Sequence, residues 1–183
     1  MPITHITLII PSLHGGGAER SALNLATGFA ARGIHTELLL LKDPGDLGAQ
    51  IPDSVQVTVY GRTRTLGALL DLRRYFRQHH PDAVISFLSH ANLLVLVAHM
   101  LARSDIPVIP TVRSDLDIQL RDSRKERVIV LLSRLIFRRA ARVIGVSEGV
   151  SESIRRHIIA RNVETIYNPT VMPHVAAQAQ GPP

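Results

Sequence analysis

Ile6-Thr7-Leu8-Ile9-Ile10-Pro11-Ser12-Leu13-His14-Gly15-Gly16-Gly17-Ala18-Glu19-Arg20 is the stretch whose reading decides the fold. Its opening residues are apolar or β-branched, the pattern of a buried strand, and Pro11-Ser12 stops it. A glycine run follows, then an amphipathic helix with Leu23, Ala26, Ala30 and Ala31 on its apolar stripe and Gly33 as C-cap. Strand, glycine turn and helix start make a geometry suited to phosphate. Glycines let the backbone come close, and free N–H groups with the helix dipole favour an anion.

The same alternation continues outward. Strands are predicted at 35–41, 55–59, 82–87, 106–112, 142–146 and 163–167. Helices are predicted at 65–79, 89–102, 123–139 and from Ser147 onward. Thr65 is the expected N-cap of the first of these, with Leu66, Leu69, Leu70, Arg73 and Phe76 at helical spacing. The 89–102 segment is almost wholly apolar and should be buried. Pro107 and Pro110 count against 106–112 as a regular strand. Most strands are apolar on both faces, which argues a parallel sheet with helices on both sides. The expected architecture is α/β, a three-layer Rossmann-like domain with a mostly parallel sheet of about seven strands. It occupies residues 1–170. At 171–183 the composition turns to Pro, Ala, Gln and Gly without periodicity, the signature of a disordered tail or interdomain linker.

Composition bounds the function. With 183 residues a domain can bury a real core, and 45% hydrophobic against 4% aromatic residues makes that core aliphatic. There is no cysteine, so disulfides and thiolate metal sites are excluded. The histidines show no H-E-x-x-H pattern, and no metal is expected. A net charge of +6 permits acidic partners such as nucleotide phosphates, nucleic acid or an anionic membrane surface. Arg73, Arg74 and Arg77 share one predicted helix; Arg134, Arg138, Arg139 and Arg142 lie on or after another. No aromatic residues interleave with them as a stacking platform needs, so nucleic acid is not expected. No apolar segment reaches the ~18–20 residues of a membrane span. The N-terminus has neither a basic start nor a cleavage-like site, and no signal peptide is expected. Basic amphipathic helices leave peripheral contact with anionic lipid open.

Two chemistries compete for the glycine and serine motifs. In the first, Gly15 and Gly17 match two glycines of a dinucleotide fingerprint. Its third position is Arg20, where close helix–strand packing asks for Gly or Ala. Asp43 then stands either as the ribose-binding acid or as a turn residue before Pro44-Gly45. In the second, a small α/β hydrolase, Gly145-Val146-Ser147-Glu148-Gly149 is the nucleophile elbow and His14-Gly15-Gly16-Gly17 the oxyanion loop. Glu164 and His174 follow in order as acid and base. Against it, His174 falls in the expected tail, and one strand after the elbow is too few to place both groups. The glycine turn also follows the first strand, whereas the esterase loop follows a later one. The rival role for Ser147 is a helix N-cap. A domain that binds phosphate or nucleic acid without chemistry is the third possibility.

Residues 3–170 resemble the N-terminal half of glycosyltransferase family 4, with the GT-B fold. Four motifs carry the resemblance, each at the end of a predicted strand: Gly15-Gly16-Gly17-Ala18-Glu19-Arg20, Ser86-Phe87-Leu88-Ser89-His90-Ala91-Asn92, Thr111-Val112-Arg113-Ser114-Asp115 and Val146-Ser147-Glu148-Gly149-Val150. Tyr167-Asn168-Pro169 resembles the junction into a second domain. The motifs lie where open α/β sheets bind ligands, outside the carboxyl ends of the strands.

The resemblance implies a retaining transfer of a sugar from a nucleotide-sugar to a glycan or lipid-linked acceptor. It implies no cofactor, the nucleotide-sugar being a substrate. The second domain of such enzymes binds the nucleotide and carries a pair of acidic residues; no two Glu residues here stand eight apart. The chain is therefore expected to be the acceptor-side half, inactive without a C-terminal donor domain. It would be a fragment, a truncated product or half of a split enzyme. A cytoplasmic location, extending to the inner membrane face, is expected. Carried across, Gly15, Gly16 and Gly17 would line the donor diphosphate. Glu19 and Arg20 would cap the loop or contact the acceptor. His90 and Asn92 would face the cleft, the histidine positioning an acceptor hydroxyl or stabilising charge. Arg113 would offer its donor fork to phosphate or acceptor sugar. Ser114 and Ser147 complete the expected acceptor set.

Overall fold

The computed structural model describes residues 2–122, 124–160 and 162–168. The expected tail, Pro169 and His174 lie outside them. The elements in chain order are β1 (His5–Ile10), α1 (Gly17–Ala30), β2 (His35–Leu40), β3 (Gln56–Val59), α2 (Leu69–Gln78), β4 (Ala83–Phe87) and α3 (Ser89–Ala102). They continue as β5 (Val108–Val112), α4 (Leu116–Asp122), α5 (Arg124–Ile136), β6 (Val143–Gly145), α6 (Glu148–His157) and β7 (Val163–Thr165). The strands form one sheet in the order β3-β2-β1-β4-β5-β6-β7. Every pairing is parallel. Among the described residues no helix is long and apolar enough to cross a membrane.

Side-chain alternation along the strands separates two aliphatic cores. Ile6, Leu8, Ile10, Leu38 and Leu40 pack on one face against Ala22, Leu23 and Ala26 of α1. Ile9, Leu39 and Val84 pack on the other against Leu72 and Phe76 of α2, Leu94 and Val95 of α3, Val130 of α5 and Ile154 of α6. The sheet is thus the middle of three layers.

Several local expectations are corrected. The predicted helix 123–139 is α5 followed by a short 3-10 turn at Phe137–Arg139, and an unpredicted helix, α4, precedes it. α4 forms where the Asp115 carboxylate accepts the Asp117 N–H at 2.8 Å, an N-cap that hydrophobic spacing alone does not reveal. Thr65 begins a 3-10 turn, Thr65–Ala68, and caps nothing with its side chain. The apolar face of α2 is Leu72, Tyr75 and Phe76; Leu66 and Leu70 are more than two-thirds exposed. On α1 the stripe runs through Ala18, Ala22, Leu23 and Ala26, while Ala31 is exposed. β5 does contain Pro110, opposite Ser86 of β4. It is tolerated because pairing with β6 begins only at Thr111, beyond the missing N–H.

Among the described strand residues that are buried, one is acidic. Glu37 of β2 is 4% exposed. Tyr75 Oη donates to its carboxylate at 2.6 Å and Thr58 Oγ1 at 2.7 Å, with Thr7 Oγ1 at 3.3 Å. Burial, then the bond to Glu37, pushes the Tyr75 hydroxyl far above the usual tyrosine range, so it remains a donor. Tyr75→Phe leaves a buried carboxylate short of its shortest bond. It should lower stability by about 1–3 kcal/mol, read as a fall in the urea midpoint.

Candidate functional site

Register decides what can meet. Ile10 pairs with Leu40, Ile9 with Ser86, Phe87 with Thr111, and Val112 with Gly145. The carboxyl ends of β2, β1, β4, β5 and β6 therefore line one edge, and all four motif segments emerge there. The order of strand addition reverses between β1 and β4, the switch point at which such sheets leave a crevice.

The glycine turn fills that crevice. Gly15 has φ +98°, a conformation that L side chains rarely adopt, so glycine is required there. Gly16 flanks α1 in an extended conformation, and its side is covered by the Glu19 carboxylate folded back over the helix start. Gly17 opens α1, with free space where a Cβ would stand. The first-turn N–H groups of α1 have no intrahelical partner and face this edge. The turn is buttressed from behind. Gly45, at φ +62°, lets the 43–48 turn press against the Leu13 backbone, and His14 Nε2 lies 3.0 Å from Asp43 Oδ1.

Arg113, just after β5, reaches across the end of β4. Its guanidinium donates to Gly17 O at 3.2 Å and to Ser21 Oγ at 2.8 Å. Burial lowers its pKa and the nearby Glu19 carboxylate opposes the shift; an arginine in a protein stays charged. A fixed cation thus stands at the first turn of α1. His90, half-buried at the start of α3, is held below the usual imidazole value of 6.5 by burial, then by Lys125 and Lys42. The shift favours the neutral imidazole, which can accept or donate a hydrogen bond.

Sequence reasoning missed three contributors. Lys42 follows β2 and Lys125 lies in the first turn of α5; they are the only lysines in the chain, and both act on His90. Their rarity among so many arginines was the available signal. The third is Leu88, which links β4 to α3 at φ +72°, ψ 134°. A bulky residue there stores about 1–3 kcal/mol, a kind of strain that clusters at functional sites. Nothing in the sequence announces it.

The other expected residues divide. Ser114 and Arg20 are exposed at this edge. Asn92 is corrected to a packing role. It is fully buried, and its Nδ2 donates to Thr111 O at 2.8 Å, tying α3 to β5. Ser147 is the N-cap of α6, its Oγ accepting from Val150 N at 3.4 Å. Its backbone is ordinary extended chain, whereas an elbow serine sits on a strained turn. The glycine turn on β1 and Ser147 after β6 are three strand spacings apart, roughly 14 Å, far beyond oxyanion contact. Glu164 is paired with Arg142. The hydrolase constellation is therefore not assembled. The dinucleotide reading fails as well: Asp43 accepts the Gly45 N–H at 3.0 Å and binds His14, so it is a turn residue.

Fold and edge together define a Rossmann-like domain of the kind that makes up half of a GT-B glycosyltransferase. The chain belongs to Glycosyltransferase Family 4, whose sequence profile matches residues 15–170. Among solved structures it is similar to HepE of Anabaena in complex with UDP and glucose. There the TM-score is 0.67 at 21% identity, covering 97% of this chain and 49% of that one. The sucrose-phosphate synthase of Thermosynechococcus elongatus gives 0.67 at 16% identity, covering 98% and 53%. The lipopolysaccharide outer core galactosyltransferase WaaB gives 0.65 at 17% identity, covering 91% and 46%. The chain spans about half the length of these relatives. No curated protein sequence matches it.

Two outcomes follow from the geometry. In a proton NMR titration the His90 ring should show a midpoint below 6.5, and Lys42→Gln with Lys125→Gln should raise it. Because the folded value is depressed, protonation opposes folding, and His90 withdraws stability as pH falls below 6.5. Ser147→Ala should cost about 0.5–2 kcal/mol as a lost N-cap. In an assay with an activated ester, neither parent nor variant should show turnover.

Proposed function

We propose that this domain forms the acceptor-side wall of a retaining glycosyltransferase that uses a nucleotide-sugar donor. The carrying observation is the grouping at the switch point of a phosphate-ready glycine turn, the Arg113 guanidinium across it and the half-buried His90. Solved relatives supply the donor class: HepE is known in complex with UDP-glucose.

Sugar transfer breaks the bond between the anomeric carbon and the diphosphate. Positive charge grows on the sugar ring and negative charge on the departing phosphate, so both must be held in one geometry. The glycine turn and Arg113 receive the departing negative charge at their end of the cleft. His90 accepts a hydrogen bond from the acceptor hydroxyl and orients its oxygen toward the anomeric carbon. Ser114 and Arg20 supply polar contacts to the acceptor, a glycan or a lipid-linked sugar. Base and ribose of the donor are gripped by a facing donor domain, which also carries the acidic pair. This domain by itself binds donor weakly and transfers nothing.

The test is acceptor-dependent release of nucleoside diphosphate, with and without a family donor domain fused after residue 168 or added as a separate chain. Release is expected only with both domains. Gly17→Val should leave the fold intact, since its side is open, and lower turnover by about 10²–10³ by blocking the phosphate path. Gly15→Val should instead destabilise the fold. Vigorous release by residues 1–183 alone would overturn the proposal.

A further inference from the structure

Away from the cleft, a slot of about 210 Å³ lies between β3 and α2. Strand alternation builds its floor. Gln56, Thr58 and Tyr60 stand two residues apart along β3 and just after it, on the face where Glu37 lies across the strand pair. Asp71, Arg74 and Gln78 of α2, three to four residues apart, face them from the helix. β3 ends the sheet, so the slot opens at its margin. β2 and β1 stand between it and the crevice beside β4, two to three strand spacings or roughly 10–14 Å away.

Its two acids are occupied. Glu37 accepts from Tyr75, Thr58 and Thr7, and Asp71 holds Arg62 through bonds of 2.6 and 2.8 Å. Other groups keep capacity. Among the described residues the Tyr60 hydroxyl, the Arg74 guanidinium and the Gln78 amide have no hydrogen-bond partner, and the Gln56 amide uses only its Oε1, on His35. Burial, then the Glu37 and Asp71 carboxylates, raises the Tyr60 hydroxyl well above the usual tyrosine range, so it stays an O–H that both donates and accepts. The Tyr75 ring, stacked on His79 at 4.5 Å, adds aromatic carbon to the wall. An anion would meet two carboxylates here. A cation would meet Arg74, and both carboxylates already have donors. A neutral ring bearing hydroxyls suits every group. Each hydroxyl can donate to an amide or tyrosine oxygen and accept from Arg74 or an amide N–H, while its C–H surface lies on aromatic carbon.

We infer that the slot between β3 and α2 is a carbohydrate-binding site, separate from the cleft, that takes one pyranose ring of a glycan. The ring lies along the row of Gln56, Thr58 and Tyr60, with Arg74 and Gln78 closing over its hydroxyls from α2. A glycan held there is gripped away from the edge that carries the glycine turn. None of this rests on the sugar-transfer reading. Binding in the slot and nucleoside diphosphate release are separate measurements, and either can fail alone.

The experiment is a proton–nitrogen NMR titration of the full chain with the methyl pyranosides of glucose, galactose and mannose, each added alone. Sodium sulfate and tetramethylammonium chloride serve as the anionic and cationic probes. At least one pyranoside should shift the amides of 56–60 and 74–79 and the rings of Tyr60 and His79, saturably and in the millimolar range; neither salt should. Arg74→Ala with Gln78→Ala should weaken this binding about tenfold, and Tyr60→Phe about fivefold, by removing hydrogen bonds to the ring. Both alanines replace exposed helix residues, so the urea midpoint of that variant should match the parent. The inference is overturned if no pyranoside moves these resonances. Shifts gathered instead at Gly15, Gly16, Gly17 and His90 would place the sugar in the cleft and overturn it too. So would sulfate or tetramethylammonium reproducing the pattern, or undiminished binding by the double alanine variant.

Discussion

All strands run the same way, and everything else in this domain follows from that. Parallel pairing requires a crossover after every strand, so helices must cover the sheet, and the core must be aliphatic on both faces. It also delivers every strand's carboxyl end to one edge. Segments as distant in sequence as the glycine turn and Arg113 become neighbours without any special device. The guanidinium then closes the gap with two hydrogen bonds onto the first turn of α1.

Much of this was legible. The strands are short aliphatic runs bounded by Pro, Gly or Asp, and the structure keeps each within a residue or two. The 89–102 helix matches its predicted bounds because nearly every residue is apolar and Arg103, in a left-handed conformation, ends it. What was not legible depended on contacts across the chain. α4 is set by one carboxylate–amide bond at Asp115, and Asn92 was placed in the cleft by motif position but turned into the core by Thr111 O. The backbone of Leu88 contradicts its own preference and is imposed by its neighbours.

The hydrolase reading failed for a reason of distance. A glycine-rich turn and a strand–serine–helix junction each satisfy a catalytic pattern locally. The order of strands puts β4 and β5 between them. Gly145 illustrates the trap. It is needed because α6 packs so closely on β6 that a side chain would strike Ser151, and this packing demand produces a motif-like glycine with no nucleophile to serve. Pattern matches at strand ends gain meaning only when the sheet order brings them to the same crevice.

The pair of lysines carries a practical consequence. The chain meets nearly all of its need for positive charge with arginine, which amine-directed reagents ignore. Lys42 and Lys125 are the exceptions, and both lie beside the edge that surrounds His90. Side-chain amine chemistry would therefore be regioselective on this protein without any engineering. A fluorophore, spin label or cross-linker attached through a side-chain amine would report from the rim of the crevice, and the arginines would stay unmodified.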